Sequence, residues 1–162
     1  MPNATEQKAM KVASTNSKNP KKGKDFEEKV CRALENKYHQ NFSKQAIKIG
    51  NPPKLHDFDL VSDDKNIIVE CKNYSWTETG NIPSAKMALI NEAVLYLSHT
   101  PNNTKKIIVL RRDNHSKRKE SLAAYYRRIY FHLLNNIIIM ELDVDKMILS
   151  EVNFNKQKNK KK

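Results

Sequence analysis

Apolar side chains recur at helical spacing in the segment KDFEEKVCRALENKY, which begins at Lys24. Asp25 stands near its start, where an acid caps a helix or interacts favourably with its dipole. Residues 1–22 instead carry isolated apolar side chains with neither a helical nor a strand period. We therefore predict an amphipathic helix preceded by a disordered basic arm. The apolar face of this helix consists of Phe26, Val30, Ala33 and Leu34.

Five other segments predict β-strands. KQAIKIG alternates weakly and ends at the turn sequence GNPP. Two apolar runs follow, Leu55–Val61 and Asn66–Lys72, and the SDDK between them indicates a hairpin. KKIIVLRRD and IIIMELD predict two later strands.

Two further helices are predicted between these strands. AKMALINEAVLYLS follows Pro83 and Ser84 and is apolar around most of its circumference, so we expect it to be covered on both sides. KRKESLAAYYRRIYFHLLNN predicts a long amphipathic helix. The resulting order, αβββαβαβ, favours an α/β fold with a mixed sheet and helices on both faces. The inward positions of the last helix are predicted to be Leu122, Tyr126, Ile129 and Leu133.

The length and composition of the chain restrict its class. With 162 residues and 38% hydrophobic content, one domain is expected, and no apolar run approaches the roughly 20 residues of a membrane span. The polar N-terminus lacks the apolar stretch of a signal peptide, so a cytoplasmic location is expected. Cys31 and Cys71 show no metal-binding spacing and are expected to be reduced.

The charge of the chain predicts a polyanionic partner, because the net charge is +12 and the pI is about 9.7. Residues 1–25 hold six lysines and two acids, and residues 153–162 hold five lysines and no acid. The positive charge is therefore concentrated at the two ends. We predict a basic arm at residues 1–22, a single domain at residues 23–152 and a basic tail at residues 153–162.

The segment HDFDLVSDDKNIIVECKNY places charge inside predicted strands. Side chains alternate along a strand, so Glu70 and Lys72 share one face, and the hairpin brings Asp57 and Asp59 alongside Glu70. A plain ion pair of Glu70 with Lys72 is one interpretation, but it leaves a carboxylate uncompensated, and burying unpaired charge is costly. Mg²⁺, which binds one or two carboxylates with water and phosphate, removes this conflict. The segment therefore predicts a metal site beside a lysine that orients water and offsets charge in a transition state.

Asp59, followed after ten residues by Glu70-Cys71-Lys72, resembles the signature of the PD-(D/E)xK nuclease superfamily, which has the restriction-endonuclease-like fold. The resemblance covers roughly Gly23–Leu110 and includes the FDLV strand and the order of the elements. It implies an αβββαβ core, here with an extra C-terminal helix and strand, and a Mg²⁺-dependent DNA endonuclease in which Mn²⁺ can replace Mg²⁺. It further implies that Asp59, Glu70 and the backbone carbonyl of Cys71 bind the metal. By the same resemblance, Lys72 is the catalytic lysine.

Two acids near this motif have competing assignments. Many members of the superfamily carry a glutamate on the first helix, after a small residue and Phe, as in GKDFEEKV here. This implies that Glu27 is also catalytic and that Glu28 points toward solvent, although a plain solvated acid is the alternative for Glu27. No proline precedes Asp59, which departs from the pattern and leaves Asp57 as a rival metal ligand.

Further side chains are candidates for contact with nucleic acid. His56 either approaches a phosphate or forms a hydrogen bond at the strand edge. Two aromatic residues just after the motif either stack on a base or pack in the core. The segment RRDNHSKRK forms either a solvated loop or a patch that contacts the nucleic-acid backbone. The predicted DNA-binding residues are Lys86, Tyr74, Trp76, Arg111, Arg112, Lys117 and Arg118.

The predicted function is hydrolysis of DNA phosphodiester bonds by a restriction-type or repair-type endonuclease. A basic nucleic-acid-binding protein that retains this fold without cleavage is one alternative. An interaction module whose lysine-rich ends maintain solubility is another. Because one small domain with one site cuts one strand, double-strand cleavage favours a homodimer. No membrane partner is predicted.

Overall fold

A computed structural model describes the backbone of residues 4–153 and the side chains of residues 20–153. This part of the chain forms three helices and six strands in the order αβββαβαββ, so the predicted α/β class is confirmed. Among the described residues, no helix is both long and apolar enough to cross a membrane. The elements are α1 (Ala4–Tyr38), β1 (Phe42–Ile49), β2 (Lys54–Ser62), β3 (Ile67–Lys72), α2 (Ser84–Ser98), β4 (Lys105–Arg111), α3 (Leu122–Leu134), β5 (Ile137–Asp143) and β6 (Ile148–Glu151).

The six strands form one open, mixed sheet in which spatial order follows chain order, β1 to β6. β1, β2 and β3 are antiparallel neighbours, and the hairpin predicted at SDDK is the β2–β3 pair. β3, β4 and β5 are parallel, because α2 and α3 each return the chain to the opposite end of the sheet. β6 pairs antiparallel with β5. The carboxyl ends of β3, β4 and β5 therefore meet at one end of the sheet.

The helices lie on both faces of the sheet, as the sequence predicted. α1 packs its apolar face on one side, where Phe26, Val30 and Leu34 are buried with Val69 and Cys71 of β3. α2 and α3 cover the other side, where they form a second core with alternate apolar residues of the central strands. This core contains Ile68, Ile90, Leu97, Ile108, Leu122, Tyr126 and Ile139. The strict alternation of β3 fixes which face its charged residues occupy.

Two boundaries differ from the sequence prediction. α1 begins at Ala4 and not at Lys24, and its first half contains several Lys and Ala residues, which favour helix, although it also contains Pro20. β6 was not predicted, because its four residues carry too short a pattern to distinguish from a turn. The division of the chain into an arm, a domain and a tail stays a prediction, and residues 154–162 of that tail lie outside the described part.

The exposed faces of α2 and α3 also differ from the prediction. α2 was expected to be covered on both sides, but Leu89 and Leu95 are exposed, because a single helical layer covers this face of the sheet. On α3, the predicted burial of Leu122 and Tyr126 is confirmed. The other two inward positions predicted there are wrong, and Ala123 and Leu134 are buried in their place. The exposed positions are Ile129 and Leu133.

The burial pattern predicts the effect of truncating two leucines. Leu34 is fully buried between α1 and the sheet, whereas Leu95 is 57% exposed. Leu34→Ala should lower the free energy of unfolding by about 2–5 kcal/mol, because it leaves a cavity in the core. Leu95→Ala, the matched control, should change it by less than about 0.5 kcal/mol. Urea unfolding followed by circular dichroism measures both, and equal losses would contradict this packing.

Candidate functional site

The site begins at an irregularity in β2. Between Phe58 and Val61 this strand has one more residue than β1 has opposite it, so the pairing register shifts. As a result, Phe58 lies in the core under α2 and α3, while Leu60 lies in the core under α1. In a regular strand, residues two apart share a face. The irregularity falls at Asp59, the residue between them.

Asp59 is held by the backbone of the neighbouring strand. The Cys71 N–H donates a hydrogen bond to the Asp59 carboxylate, with a nitrogen–oxygen distance of 2.7 Å. Regular pairing between β2 and β3 extends only over Leu60↔Val69 and Val61↔Ile68. The carboxylate therefore takes the place of a backbone acceptor where the two strands separate, and it is fixed beside the Glu70-Cys71-Lys72 triplet.

Glu70 and Lys72 point to the same face of β3, as their spacing predicted. The Lys72 Nζ lies 3.1 Å from a Glu70 carboxylate oxygen, and the two side chains are only 18% and 8% exposed, respectively. This is a largely buried ion pair. Taking its charges out of water costs free energy that the pair alone recovers only in part.

The electrostatics leave an excess of negative charge at this pair. Burial first and the Asp59 carboxylate second raise the pKa of Glu70, and Lys72 offsets them only in part, so that this pKa lies at about 7. Burial lowers the pKa of Lys72, but the carboxylates of Glu70 and Asp59 outweigh burial and hold this pKa above its ordinary value. Lys72 therefore stays protonated at neutral pH, and the two carboxylates lack a full positive counterpart.

Glu27 reaches the same site from α1. It is half-buried, and its pKa is raised first by burial and second by the Asp59 carboxylate, while Lys44, Lys72 and Lys24 lower it. The neighbouring Glu28 is exposed, as the sequence predicted. α1 therefore contributes a third carboxylate to the electrostatic environment of Asp59.

The structure separates the two rival aspartates. Asp57 is exposed, whereas Asp59 is half-buried and bonded to the backbone of β3. Asp59 also perturbs the pKa of Glu70, and the same carboxylate contributes to the pKa of Glu27. Of the two acids, Asp59 is the one that is coupled to the charged cluster.

These side chains open into a cleft with a volume of about 190 Å³. One wall is formed by β2 and β3 and carries Asp59, Glu70 and Lys72, and the other is formed by α2 and carries Glu92. The sequence had assigned no role to Glu92 and Tyr96 of α2, although both are polar interruptions, one turn apart, in an apolar helix. The polar residues that line the cleft are His56, Asp57, Asp59, Glu70, Lys72, Tyr74, Glu92 and Tyr96.

The donor set is compatible with a divalent cation. Within residues 20–153, no three His, Cys, Asp or Glu side chains converge closely enough to hold a metal by themselves. However, the Asp59 carboxylate raises the pKa of Glu70, so a cation bound beside both carboxylates would relieve their repulsion. Two carboxylates completed by water or phosphate are an ordinary protein site for Mg²⁺.

The residues predicted to contact DNA fall into two groups. Tyr74 lines the cleft, and the Lys86 Nζ lies 5.1 Å from the centre of its ring. Arg111 and Lys117 are exposed. The Arg112 Nε lies 3.6 Å from a carboxylate oxygen of Glu141. These five positions leave charged or aromatic groups at or near the surface.

Trp76 and Arg118 occupy internal positions instead. Trp76 is buried, and its ring forms an edge-to-face contact with the ring of Tyr125, with 5.3 Å between the ring centres. The Arg118 guanidinium lies 4.4 Å from the Trp76 ring centre and donates to the Gly80 carbonyl at 2.6 Å. The backbone N–H of Trp76 donates to Asp113 at 2.7 Å. These contacts favour the core-packing alternative for Trp76 and a structural role for Arg118.

Searches against protein-family models, curated proteins and solved structures find no match to this chain. The resemblance to a nuclease superfamily therefore rests on the residues and geometry of the chain itself.

The raised pKa of Glu70 predicts how stability depends on pH. Between about pH 4.5 and 7 the unfolded state releases the Glu70 proton while the folded state retains it, so the free energy of unfolding falls as the pH rises. Relative to Glu70→Gln, which lacks this ionisation, the parent should lose roughly 2–3 kcal/mol across this range. Urea unfolding of both proteins in EDTA, at several pH values, measures the difference. Parallel stability curves would show that Glu70 titrates normally.

Proposed function

We propose that this protein is a Mg²⁺-dependent deoxyribonuclease of the PD-(D/E)xK superfamily that hydrolyses phosphodiester bonds. The observation that carries the proposal is the buried Glu70–Lys72 pair, 3.1 Å apart, beside the fixed carboxylate of Asp59. All three side chains line one cleft. A purely structural ion pair would not need the second acid, which raises the pKa of Glu70.

The order of the elements supports the same proposal. α1, β1, β2, β3, α2 and β4 follow the αβββαβ order of the restriction-endonuclease-like core. α3, β5 and β6 then form a C-terminal extension of the sheet on the side away from β1. Under this proposal, the acids and the lysine lie where β2 and β3 separate, at the end of the sheet where the parallel strands terminate.

Asp59, Glu70 and the Cys71 carbonyl would hold Mg²⁺, and Mn²⁺ is an alternative of similar ligand preference. When bound, the metal would polarise the phosphate and lower the pKa of a coordinated water. The protein supplies a fixed ligand in Asp59, whose carboxylate is already positioned by the Cys71 N–H. Glu70 supplies the second carboxylate. Because this side chain is almost fully buried, its carboxylate interacts strongly with a cation.

Lys72 acts as a fixed positive charge. Because its pKa is raised by Glu70 and Asp59, it remains an ammonium group and serves as a hydrogen-bond donor and not as a base. In this position it orients the attacking water and offsets the negative charge that develops on the phosphate. Glu27, whose carboxylate is electrostatically coupled to Asp59, positions a water on the side of α1.

The substrate class follows from the charge around the site. Lys24 and Lys44 lie near enough to Glu27 to lower its pKa, and Lys86 stands beside Tyr74 at the cleft. Together with the net charge of +12, these lysines favour a polyanion such as DNA. The same charge also supports the alternative of a nucleic-acid-binding protein without cleavage. A homodimer remains the assembly expected for double-strand cleavage.

Replacing the acids and the lysine separates these alternatives. Asp59→Ala, Glu70→Ala and Lys72→Ala should each lower the rate of Mg²⁺-dependent cleavage by at least about 100-fold, because each removes a charge that acts on the reacting phosphate. Asp57→Ala is the matched control and should cleave within about twofold of the parent, because its carboxylate is exposed and uncoupled. The assay uses plasmid, flap, junction and single-stranded DNA with Mg²⁺ or Mn²⁺.

Calorimetry distinguishes metal binding from chemistry in the same variants. Asp59→Ala should abolish Mg²⁺ or Mn²⁺ binding, whereas Lys72→Ala should retain it, because the carboxylate ligands remain. Glu27→Ala should cause a smaller loss of rate, and Glu28→Ala, on the exposed side of α1, should cause none. The proposal is wrong if folded Asp59, Glu70 and Lys72 variants cleave as well as the parent.

A further inference from the structure

His56 forms part of the cleft wall, three residues before Asp59 on β2. Its ring lies nearly parallel to the ring of Tyr96, with 3.8 Å between the ring centres and 17° between the planes. The ring of Phe58 contacts the imidazole from a second direction, with 4.8 Å between the ring centres and 72° between the ring planes. The imidazole is therefore held in one orientation by aromatic contacts from two elements, β2 and α2.

The ring nitrogens of His56 have no hydrogen-bond partner among the side chains and backbone of residues 20–153. Two other histidines of this region do have one. A ring nitrogen of His99 lies 2.9 Å from the Leu95 carbonyl, and a ring nitrogen of His115 lies 3.0 Å from the Glu78 carbonyl. Neither ring nitrogen of His56 is among the buried unpaired polar atoms of this region, so the oriented imidazole offers a solvent-accessible N–H in the cleft.

The chemistry of the cleft defines what this imidazole binds. Asp57, Asp59, Glu70 and Glu92 supply only acceptors when ionised, and they repel a phosphate. The donors that line the cleft are the Lys72 ammonium, which forms an ion pair with Glu70, the hydroxyls of Tyr74 and Tyr96, and the imidazole of His56. Among these described donors, the His56 imidazole is the one held by two aromatic rings, those of Phe58 and Tyr96.

We infer that His56 is a substrate-binding residue, whose imidazole N–H donates to a non-bridging oxygen of a phosphodiester in the cleft. Tyr96 acts as a positioning residue, because its ring fixes the plane of the imidazole. The identity of the ligand rests on the proposed function, whereas the unpaired, oriented donor is a feature of the structure. The contact requires no change in the protonation of His56, since a neutral imidazole carries one N–H.

Two substitutions separate the hydrogen bond from the stacking. His56→Phe preserves a ring against Tyr96 but removes both nitrogens, and His56→Gln removes the ring but retains an N–H donor. His132→Phe, at an exposed position of α3, is the matched control. Binding is measured by fluorescence anisotropy in EDTA, with a short labelled DNA as duplex and as single strand. Cleavage of the same DNA with Mg²⁺ gives kcat and KM.

His56→Phe should weaken metal-free DNA binding about tenfold, the effect of one lost hydrogen bond to a charged group. In the cleavage assay it should raise KM to a similar extent. His56→Gln should recover part of the affinity, and His132→Phe should bind as the parent does. Equal binding and KM for His56→Phe and the parent would overturn the inference, as would a parent protein that binds neither form of DNA.

The outcome for the proposed function is read independently. If the parent binds DNA without cleaving it, and His56→Phe still weakens binding, the nuclease proposal fails while the role of His56 stands. Should both His56 variants unfold, as judged by circular dichroism, the imidazole ¹⁵N resonances of the parent provide the test. A change in the His56 resonances on addition of DNA would support the contact, and unchanged resonances at saturation would overturn it.

Discussion

The site depends on one hydrogen bond, from the Cys71 N–H to the carboxylate of Asp59. It forms because β2 carries an extra residue at this point, so that its backbone leaves the ladder and a side chain supplies the acceptor that β3 needs. A buried N–H without an acceptor would cost free energy, and the carboxylate avoids that cost. The same bond brings a negative charge beside Glu70. Strand pairing and the charge of the site are thus consequences of a single local irregularity.

Once Asp59 is fixed beside Glu70, the positive charge of Lys72 compensates the two carboxylates only in part. Lys72 forms an ion pair with Glu70, whose side chain is almost fully buried and whose pKa is about 7. Glu27 adds a further acid from the opposite helical layer. A fold selected for stability alone would replace such a cluster with apolar residues at little cost or with a gain. The cluster is therefore better explained by a ligand that supplies positive charge than by stability.

Basic and aromatic residues near the site connect the loops of the protein to one another. The loop after β3, which leads away from Lys72, is bound to the loop after β4 through Trp76, Asp113 and Arg118. Gly80 fits this junction because its φ of +79° suits glycine, and a Cβ there would lie 2.9 Å from His115. Composition alone does not separate a basic loop that contacts nucleic acid from one that clamps a neighbouring loop. The difference lies in contacts between segments more than 30 residues apart.

The sequence by itself determined the α/β class, the inner face of α1 and the shared face of Glu70 and Lys72, because helical and strand periods are local properties of the chain. The resemblance of the sequence to a nuclease signature also pointed to Asp59, but it left Asp57 as a rival. Only the tertiary structure decided that Asp59 accepts from β3, that Trp76 is buried and that Tyr96 stacks on a cleft residue. Each of these depends on a strand irregularity or on packing between distant segments. The hydrophobic periodicity of a segment predicts neither, because it indicates the face on which a side chain lies and not the residues of other segments that pack against it.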